Sequence, residues 1–120
     1  MVAPKTILVV EDEPLIAMML EDYLDVLGHR VSGTADSVPE ALEQVAKGGF
    51  DAAILDVHLR SGEASWPVAD ALVDSDIPFL LATGGLTEQP PVRHANARIL
   101  TKPFTIDGIR AALGRCFPEI

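Results

Sequence analysis

The chain has 120 residues, of which 48% are hydrophobic and 22% are charged. This length and composition are typical of one globular domain with a single core, and they exclude a largely disordered chain. The formal net charge of −9 argues against a nucleic-acid partner, because phosphate backbones are bound by clustered Lys and Arg. We expect residues 1–120 to form one domain.

The first apolar run, TILVV at residues 6–10, is followed at once by three acidic residues. It is therefore too short for a membrane span or a signal peptide. Cys116 is the only cysteine, so the chain cannot form an internal disulfide, which suits a reducing compartment. We expect a cytoplasmic protein that does not insert into membranes.

The first predicted unit is a strand followed by a helix. TILVV has the short, β-branched pattern of a buried strand. From Pro14 to Leu27, apolar residues recur at spacings of three and four, which predicts one apolar helical face. Gly28 stands where a helix C-cap is expected.

The alternation of strand and helix then continues. HRVSGTA at residues 29–35 predicts the second strand, and DAAILD at residues 51–56 predicts the third. Between them, SVPE at residues 37–40 has the form of a capping box, which opens a helix that continues through Val45 to Gly48.

The second half of the chain contains two more predicted strands and two more helices. Pro67 starts a predicted helix that runs to Val73, and IPFLLAT at residues 77–83 predicts the fourth strand. ARIL at residues 97–100 predicts a short fifth strand, and Thr105 can cap a last helix.

The stretch between Thr83 and Ala97 breaks the alternation. It contains two glycines and two prolines and has no sustained apolar period, so a fourth helix there is expected to be short or absent. Strands that alternate with helices predict a parallel sheet covered on both faces and joined by right-handed crossovers. The expected fold is a three-layer α/β domain with five strands.

Polar side chains stand at the carboxyl ends of four predicted strands. Glu11 and Asp12 follow the first strand, Asp56 ends the third, Thr83 ends the fourth, and Lys102 follows the fifth. Ligand sites of open parallel sheets lie at this edge. Converging carboxylates repel one another unless a cation lies among them, and oxygen ligands suit Mg2+. We therefore expect a magnesium site; the EDEP loop lacks the glycines of a dinucleotide or P-loop site.

Each of these residues also has a simpler interpretation. An acidic residue before a helix is usually an N-cap, which would make Asp12 structural. Thr83 could shape a turn before Gly84, and Lys102 could be a solvated surface lysine. Their joint placement at one edge of the sheet favours the functional interpretation.

Other residues are expected to have no part in the chemistry. His29 and His94 are expected at the surface, and the side chain of His58 is expected to be exposed. Trp66 is expected to pack at the start of a helix, and Cys116 is expected to be a small buried hydrophobe.

Four motifs together resemble the receiver domain of bacterial two-component response regulators. They are ILVV followed by Glu11-Asp12, ILDVHL with Asp56, LLATG with Thr83, and TKPF with Lys102. The resemblance covers essentially the whole chain. It implies a doubly wound (βα)5 flavodoxin-like fold with strand order 2-1-3-4-5, and a receiver domain over residues 1–120 without a separate output domain.

The resemblance implies how a phosphoryl group is handled. Asp56 would accept it from a histidine kinase or a histidine phosphotransfer protein. Either the binding of a downstream protein would change, or the domain would serve as a phosphate sink or relay intermediate. Thr83 would bond the phosphoryl oxygens, and Lys102 would pair with Asp56 or with its phosphate.

The resemblance also implies a set of ligands for Mg2+. Asp12 and Asp56 would bind the ion, and Glu11 would act through a water molecule. The backbone carbonyl of His58 would be a further ligand.

Two features depart from the common receiver pattern. Ile99 stands where most receivers carry a Tyr or Phe whose rotation reports phosphorylation at the output face. LATG at residues 81–84 and the GE-containing segment at residues 58–72 are similar to a single-domain subgroup from alphaproteobacteria, although Leu81 replaces the Phe of its Phe-Ala-Thr-Gly motif. That subgroup implies an output through the loop at residues 84–96.

The sequence leaves two other functions open. One is an Mg2+-dependent phosphohydrolase with Asp56 as nucleophile, but haloacid-dehalogenase-type phosphatases use Asp-x-Asp, and here the second position is His58. The other is a docking module of the same fold that is never phosphorylated. The receiver interpretation predicts a signalling domain with at most self-catalysed phosphorylation and dephosphorylation, not an enzyme.

Overall fold

The computed structural model describes residues 4–59, 62–84 and 90–117, which fold around one parallel sheet. Its five strands lie in the order β2-β1-β3-β4-β5. They are β1 (Thr6–Val10), β2 (Arg30–Ala35), β3 (Ala52–Asp56), β4 (Phe79–Thr83) and β5 (Arg98–Thr101). The predicted strand order and parallel pairing are confirmed.

Within the described residues, four helices cover the two faces of the sheet. They are α1 (Pro14–Val26), α2 (Val38–Lys47), α3 (Trp66–Asp74) and α4 (Ile106–Cys116). Side chains of β1 alternate between the faces. Ile7 packs in a core with α1 and α4, whereas Leu8 packs in a core with α2 and α3. The predicted three-layer, flavodoxin-like architecture is confirmed, and none of these helices is long and apolar enough to cross a lipid bilayer.

The helix ends follow the signals that the sequence carries. Ser37 Oγ accepts a hydrogen bond from the backbone N–H of Glu40 at 3.3 Å, and Thr105 Oγ1 accepts one from Gly108 at 2.9 Å. Gly28 follows α1 with a φ of +87°, a left-handed conformation that glycine adopts without a steric penalty. The predicted caps at Ser37 and Thr105 are confirmed, and Gly28 lies one residue beyond the C-cap residue Leu27.

The connection from β4 to β5 differs from the other crossovers. Its described part contains one 3-10 turn, Val92–His94, so the predicted reduction of the fourth helix is confirmed there. Residues 85–89 lie outside the described residues, and the expectation that the loop at 84–96 carries the output falls partly on them.

Two histidines are buried, and the expectation that they lie at the surface is wrong. His29 is 8% exposed and His94 is 3% exposed. Burial is tolerated because ring nitrogens are hydrogen-bonded: the backbone N–H of Lys5 donates to His29 Nδ1 at 3.0 Å, and His94 contacts a carboxylate on α3. Trp66 at the start of α3 and the buried Cys116 are as predicted.

Candidate functional site

The carboxyl edge of the sheet places the strand-end residues side by side, because all strands of a parallel sheet end there. Asp56, the last residue of β3, pairs with Ala82 on β4. Thr83, the last residue of β4, pairs with Thr101 on β5. The backbone N–H of Lys102 donates to the carbonyl of Thr83 at 2.9 Å, so the lysine directly follows the strand beside the threonine.

Three carboxylates meet at this edge. Glu11, Asp12 and Asp56 each offer an oxygen, and the three oxygens lie within 4.8 Å of one another. The position of Glu11 is fixed because its backbone N–H donates to the carbonyl of Ala35 at 2.9 Å, which continues the pairing of β1 with β2 by one residue. The predicted acidic group therefore converges in space.

Lys102 lies between two of these carboxylates. Its Nζ is 3.4 Å from Asp56 Oδ1 and 3.6 Å from Glu11 Oε1. The side chain of Lys102 is 30% exposed and that of Asp56 is 13% exposed, whereas that of Glu11 is only 2% exposed. A reagent that approaches from solvent thus reaches Asp56 and Lys102, while Glu11 forms the floor of the site.

The environment of Glu11 disfavours the charged form of its carboxyl group. Burial, followed by the negative charge of Asp56, raises the pKa of Glu11 from 4.5 to about 7. The backbone N–H of Glu13, which donates to Glu11 Oε2 at 3.2 Å, and the charge of Lys102 oppose this rise without cancelling it. A single lysine therefore does not neutralise the three carboxylates.

The remaining predicted site residues lie beside this group. Thr83 ends the strand next to Asp56 and is partly buried. His58 lies two residues beyond β3, its side chain is exposed as predicted, and its backbone bridges to Ala64 within the loop that leads to α3. The roles inferred for the Thr83 hydroxyl and the His58 carbonyl stay predictions.

The donor set fits a hard divalent cation. Glu11 Oε1 is buried and has no hydrogen bond within the described residues. The cation that faces it is Lys102 Nζ at 3.6 Å, which also faces Asp56, so one positive charge is shared between two carboxylates. Three carboxylate oxygens in one small volume are ligands that Mg2+ and Ca2+ prefer, whereas zinc sites generally contain Cys or His. The group could therefore hold such an ion.

A cluster around His94, away from the acidic group, has no signal in the local sequence pattern. His94 stacks on Trp66 with ring centroids 5.8 Å apart and contacts Phe79 edge-on at 6.0 Å. Its Nε2 donates to Asp70 Oδ1 at 2.7 Å, and the neighbouring Arg93 pairs with the same carboxylate. These contacts fasten Arg93 and His94, in the described part of the β4–β5 connection, to α3.

A second contact that the sequence does not predict joins the loop before α3 to the first residue of α2. The carboxylate of Glu63 accepts a hydrogen bond from the backbone N–H of Val38 at 2.9 Å. The two residues are 25 positions apart, so no short-range pattern reveals the bond. The Gly62-Glu63 pair marks this glutamate in the sequence, but it does not indicate which residue the glutamate contacts.

Comparison with known proteins gives a family for the chain. Residues 7–114 match the family described as "Response regulator receiver domain". The chain is 33% identical over 115 residues to the phyllosphere-induced regulator PhyR of Methylorubrum extorquens, which covers 91% of this chain and 42% of that protein. The chain spans less than half the length of the curated relatives that it matches.

Solved structures show the same similarity. The solution structure of SdrG from Sphingomonas melonis Fr1 is 56% identical to the chain, with a TM-score of 0.83 and coverage of 95% of this chain and 97% of that one. The BeF3-activated conformation of SdrG from Pseudomonas melonis Fr1 is also 56% identical, with a TM-score of 0.79 and coverage of 92% and 94%.

Proposed function

The chain belongs to the response regulator receiver domain family, and we propose that it is a phosphorylation-controlled switch in two-component signalling. The donor is a phosphohistidine of a histidine kinase or a histidine phosphotransfer protein. The acceptor is Asp56, and the output is a change in the binding of a downstream protein. The observation that carries the proposal is the position of Lys102 Nζ, 3.4 Å from the partly exposed carboxylate of Asp56 at the carboxyl edge of the sheet.

Asp56 is suited to act as the nucleophile. One carboxylate oxygen attacks the phosphorus atom and the bond from phosphorus to the donor imidazole nitrogen breaks. That nitrogen keeps the electron pair of the bond, and the ring leaves as a neutral imidazole whose proton is on its other nitrogen. The charge of Lys102 offsets the negative charge that gathers on the phosphoryl oxygens, and the Thr83 hydroxyl can donate to one of them. Transfer then depends on positioning and charge, which these side chains provide.

A magnesium ion completes the proposed site. Asp12 and Asp56 would hold it, Glu11 would act through water, and the backbone carbonyl of His58 would be a further ligand. When bound, Mg2+ supplies charge neutralisation for the phosphoryl oxygens. The support for this assignment is the convergence of the three carboxylates and the buried Glu11 oxygen that lacks a hydrogen bond within the described residues.

The switch works through the segment that joins Thr83 to Lys102. Both ends of this segment enter the site, so a phosphoryl group on Asp56, with about −1.5 to −2 charges and three acceptor oxygens, draws on both ends at once. Ile99 lies on β5 within this segment and cannot act as the aromatic reporter common in receivers. The BeF3-activated conformation solved for SdrG supports a structural response to a phosphoryl-like group in a similar protein.

The test is phosphorylation by a small donor. The protein is incubated with acetyl phosphate with and without Mg2+, and its intact mass is followed over time together with released phosphate. Wild type is expected to gain one phosphoryl group only when Mg2+ is present. Asp56→Asn is expected to gain none. Asp51→Asn, which directly precedes β3 and so lies away from its carboxyl end, is expected to behave as wild type.

Three results contradict the proposal. A mass gain that persists in Asp56→Asn would place the acceptor elsewhere. Release of many phosphates per chain would favour the phosphohydrolase alternative. The absence of any modification with acetyl phosphate, and also with a phosphorylated histidine phosphotransfer domain as donor, would favour the docking module.

A further inference from the structure

We propose that Glu63 is a positioning residue for the metal site, because its carboxylate ties the loop after Asp56 to the amino-terminal end of α2. This loop carries His58, whose backbone carbonyl is the proposed ligand. The inference rests on the proposed function, and it assigns a specific role to the GE pair of the sequence, which the site itself does not use.

The described part of the loop, residues 57–59 and 62–65, is folded by its own backbone. The N–H of Leu59 donates to the carbonyl of Glu63 at 2.8 Å, and the N–H of Ser65 donates to the carbonyl of Val57 at 2.9 Å. His58 lies between these bonds and bridges to Ala64. The backbone of His58 therefore moves with the arm of the loop that contains Glu63.

Glu63 connects this arm to a different element of the fold. Its Oε1 accepts the hydrogen bond of the Val38 backbone N–H at 2.9 Å. Val38 is the first residue of α2, where backbone N–H groups have no partner inside the helix and where a negative charge is favoured. The contact is partly buried and charge-assisted, which makes it stronger than an exposed neutral bond.

The same helix end offers a matched control. Ser37 caps α2 by accepting from the N–H of Glu40, which is a different donor from the one that Glu63 serves. Loss of either cap weakens the first turn of α2, but only loss of the Glu63 carboxylate releases the loop. A purely structural role of Glu63 therefore predicts equal behaviour of the two variants, and a positioning role predicts a difference.

The experiment compares Glu63→Ala, Glu63→Gln and Ser37→Ala in the full chain. Mg2+ affinity is measured by NMR titration of the unphosphorylated protein, and amide hydrogen exchange of Leu59 and Ser65 is measured without metal. Glu63→Ala is expected to raise the Mg2+ Kd by about tenfold, the lower end for loss of a residue that supports a metal ligand. In this variant the amides of Leu59 and Ser65 are expected to exchange faster than in wild type.

The other two variants separate tethering from charge and from helix capping. Glu63→Gln keeps an acceptor oxygen for the Val38 N–H but loses the charge that strengthens the bond, so its Mg2+ Kd is expected to lie between those of wild type and Glu63→Ala. Ser37→Ala is expected to keep the wild-type Kd and loop exchange even though its melting temperature falls.

The possible failures are distinguishable. If wild type binds Mg2+ and Glu63→Ala binds it equally well, the inference about Glu63 is refuted and the proposed function stands. An equal loss of affinity in Glu63→Ala and Ser37→Ala, or in Glu63→Ala and Glu63→Gln, would also refute it. If wild type shows no saturable Mg2+ binding, both the proposed metal site and the positioning role of Glu63 are refuted.

Discussion

Replacing Glu11 by Gln should stabilise the metal-free protein at neutral and alkaline pH. The folded pKa of this carboxyl is about 7, against an ordinary value of 4.5. Folding therefore retains a proton that the unfolded chain releases, and stability falls as the pH rises from about 4.5 through about 7. At about 1.4 kcal/mol per pKa unit, the full loss is about 3 kcal/mol. Glu11 is 4% exposed, so solvent does little to screen it.

Urea unfolding of wild type and Glu11→Gln at several pH values, with EDTA present, measures this effect. The difference in the free energy of unfolding between the Gln variant and wild type should shift by about 3 kcal/mol in favour of the variant as the pH is raised from 4.5 to above 7. Saturating Mg2+ should stabilise wild type more than the variant, because the ion relieves the same repulsion. Glu13→Gln is the control, since Glu13 is exposed and loses the same charge. A stability difference between wild type and Glu11→Gln that does not change with pH would refute the reasoning.

Three further predictions concern the rest of the fold. His94→Ala should lower the free energy of unfolding by about 2–4 kcal/mol in urea titrations, because a buried ring loses its contacts and its bond to Asp70. Val92→Ala, at a 94% exposed position, should change it by about 0.5 kcal/mol or less, and equal effects of the two would contradict the packing described for His94. His29 has a pKa lowered by burial and then by the charge of Lys5, so its contribution to stability is present above its ordinary value of 6.5 and is lost as the pH falls below it. His29→Gln should therefore lose less stability than wild type on acidification in calorimetric scans, and an equal loss in the two proteins would contradict this reasoning. Leu80→Ala, in the fully buried centre of β4, should cost about 2–5 kcal/mol, and Leu15→Ala, 78% exposed on α1, should cost much less.

The convergence of the candidate site residues could be predicted from the sequence because it follows from the topology of a parallel sheet. Once the strands are recognised, their carboxyl ends must share one edge, so Asp56, Thr83 and Lys102 become neighbours without any knowledge of side-chain packing. Glu11 and Asp12 join them because β1 lies next to β3. The caps at Ser37, Gly28 and Thr105 were predictable for a similar reason, since each depends on residues within the same turn.

Contacts between elements were not predictable in this way. His94 is buried because Trp66, Phe79 and Asp70 come from other elements and satisfy its ring, and nothing near His94 in the sequence indicates them. The bond from Val38 to Glu63 also joins distant residues. Default expectations for a single histidine or glutamate describe an isolated side chain, and they fail where tertiary structure supplies a partner.

The central claim is that Asp56 is the residue that takes up the phosphoryl group. An aspartyl phosphate is reduced by borohydride to homoserine, so peptide mapping by tandem mass spectrometry after phosphorylation and reduction identifies the modified position. We predict homoserine at position 56, in a yield that depends on Mg2+. No homoserine is expected there in Lys102→Ala or in wild type treated with EDTA. Homoserine at position 12, or a phosphorylated chain with no homoserine at all, would contradict the account.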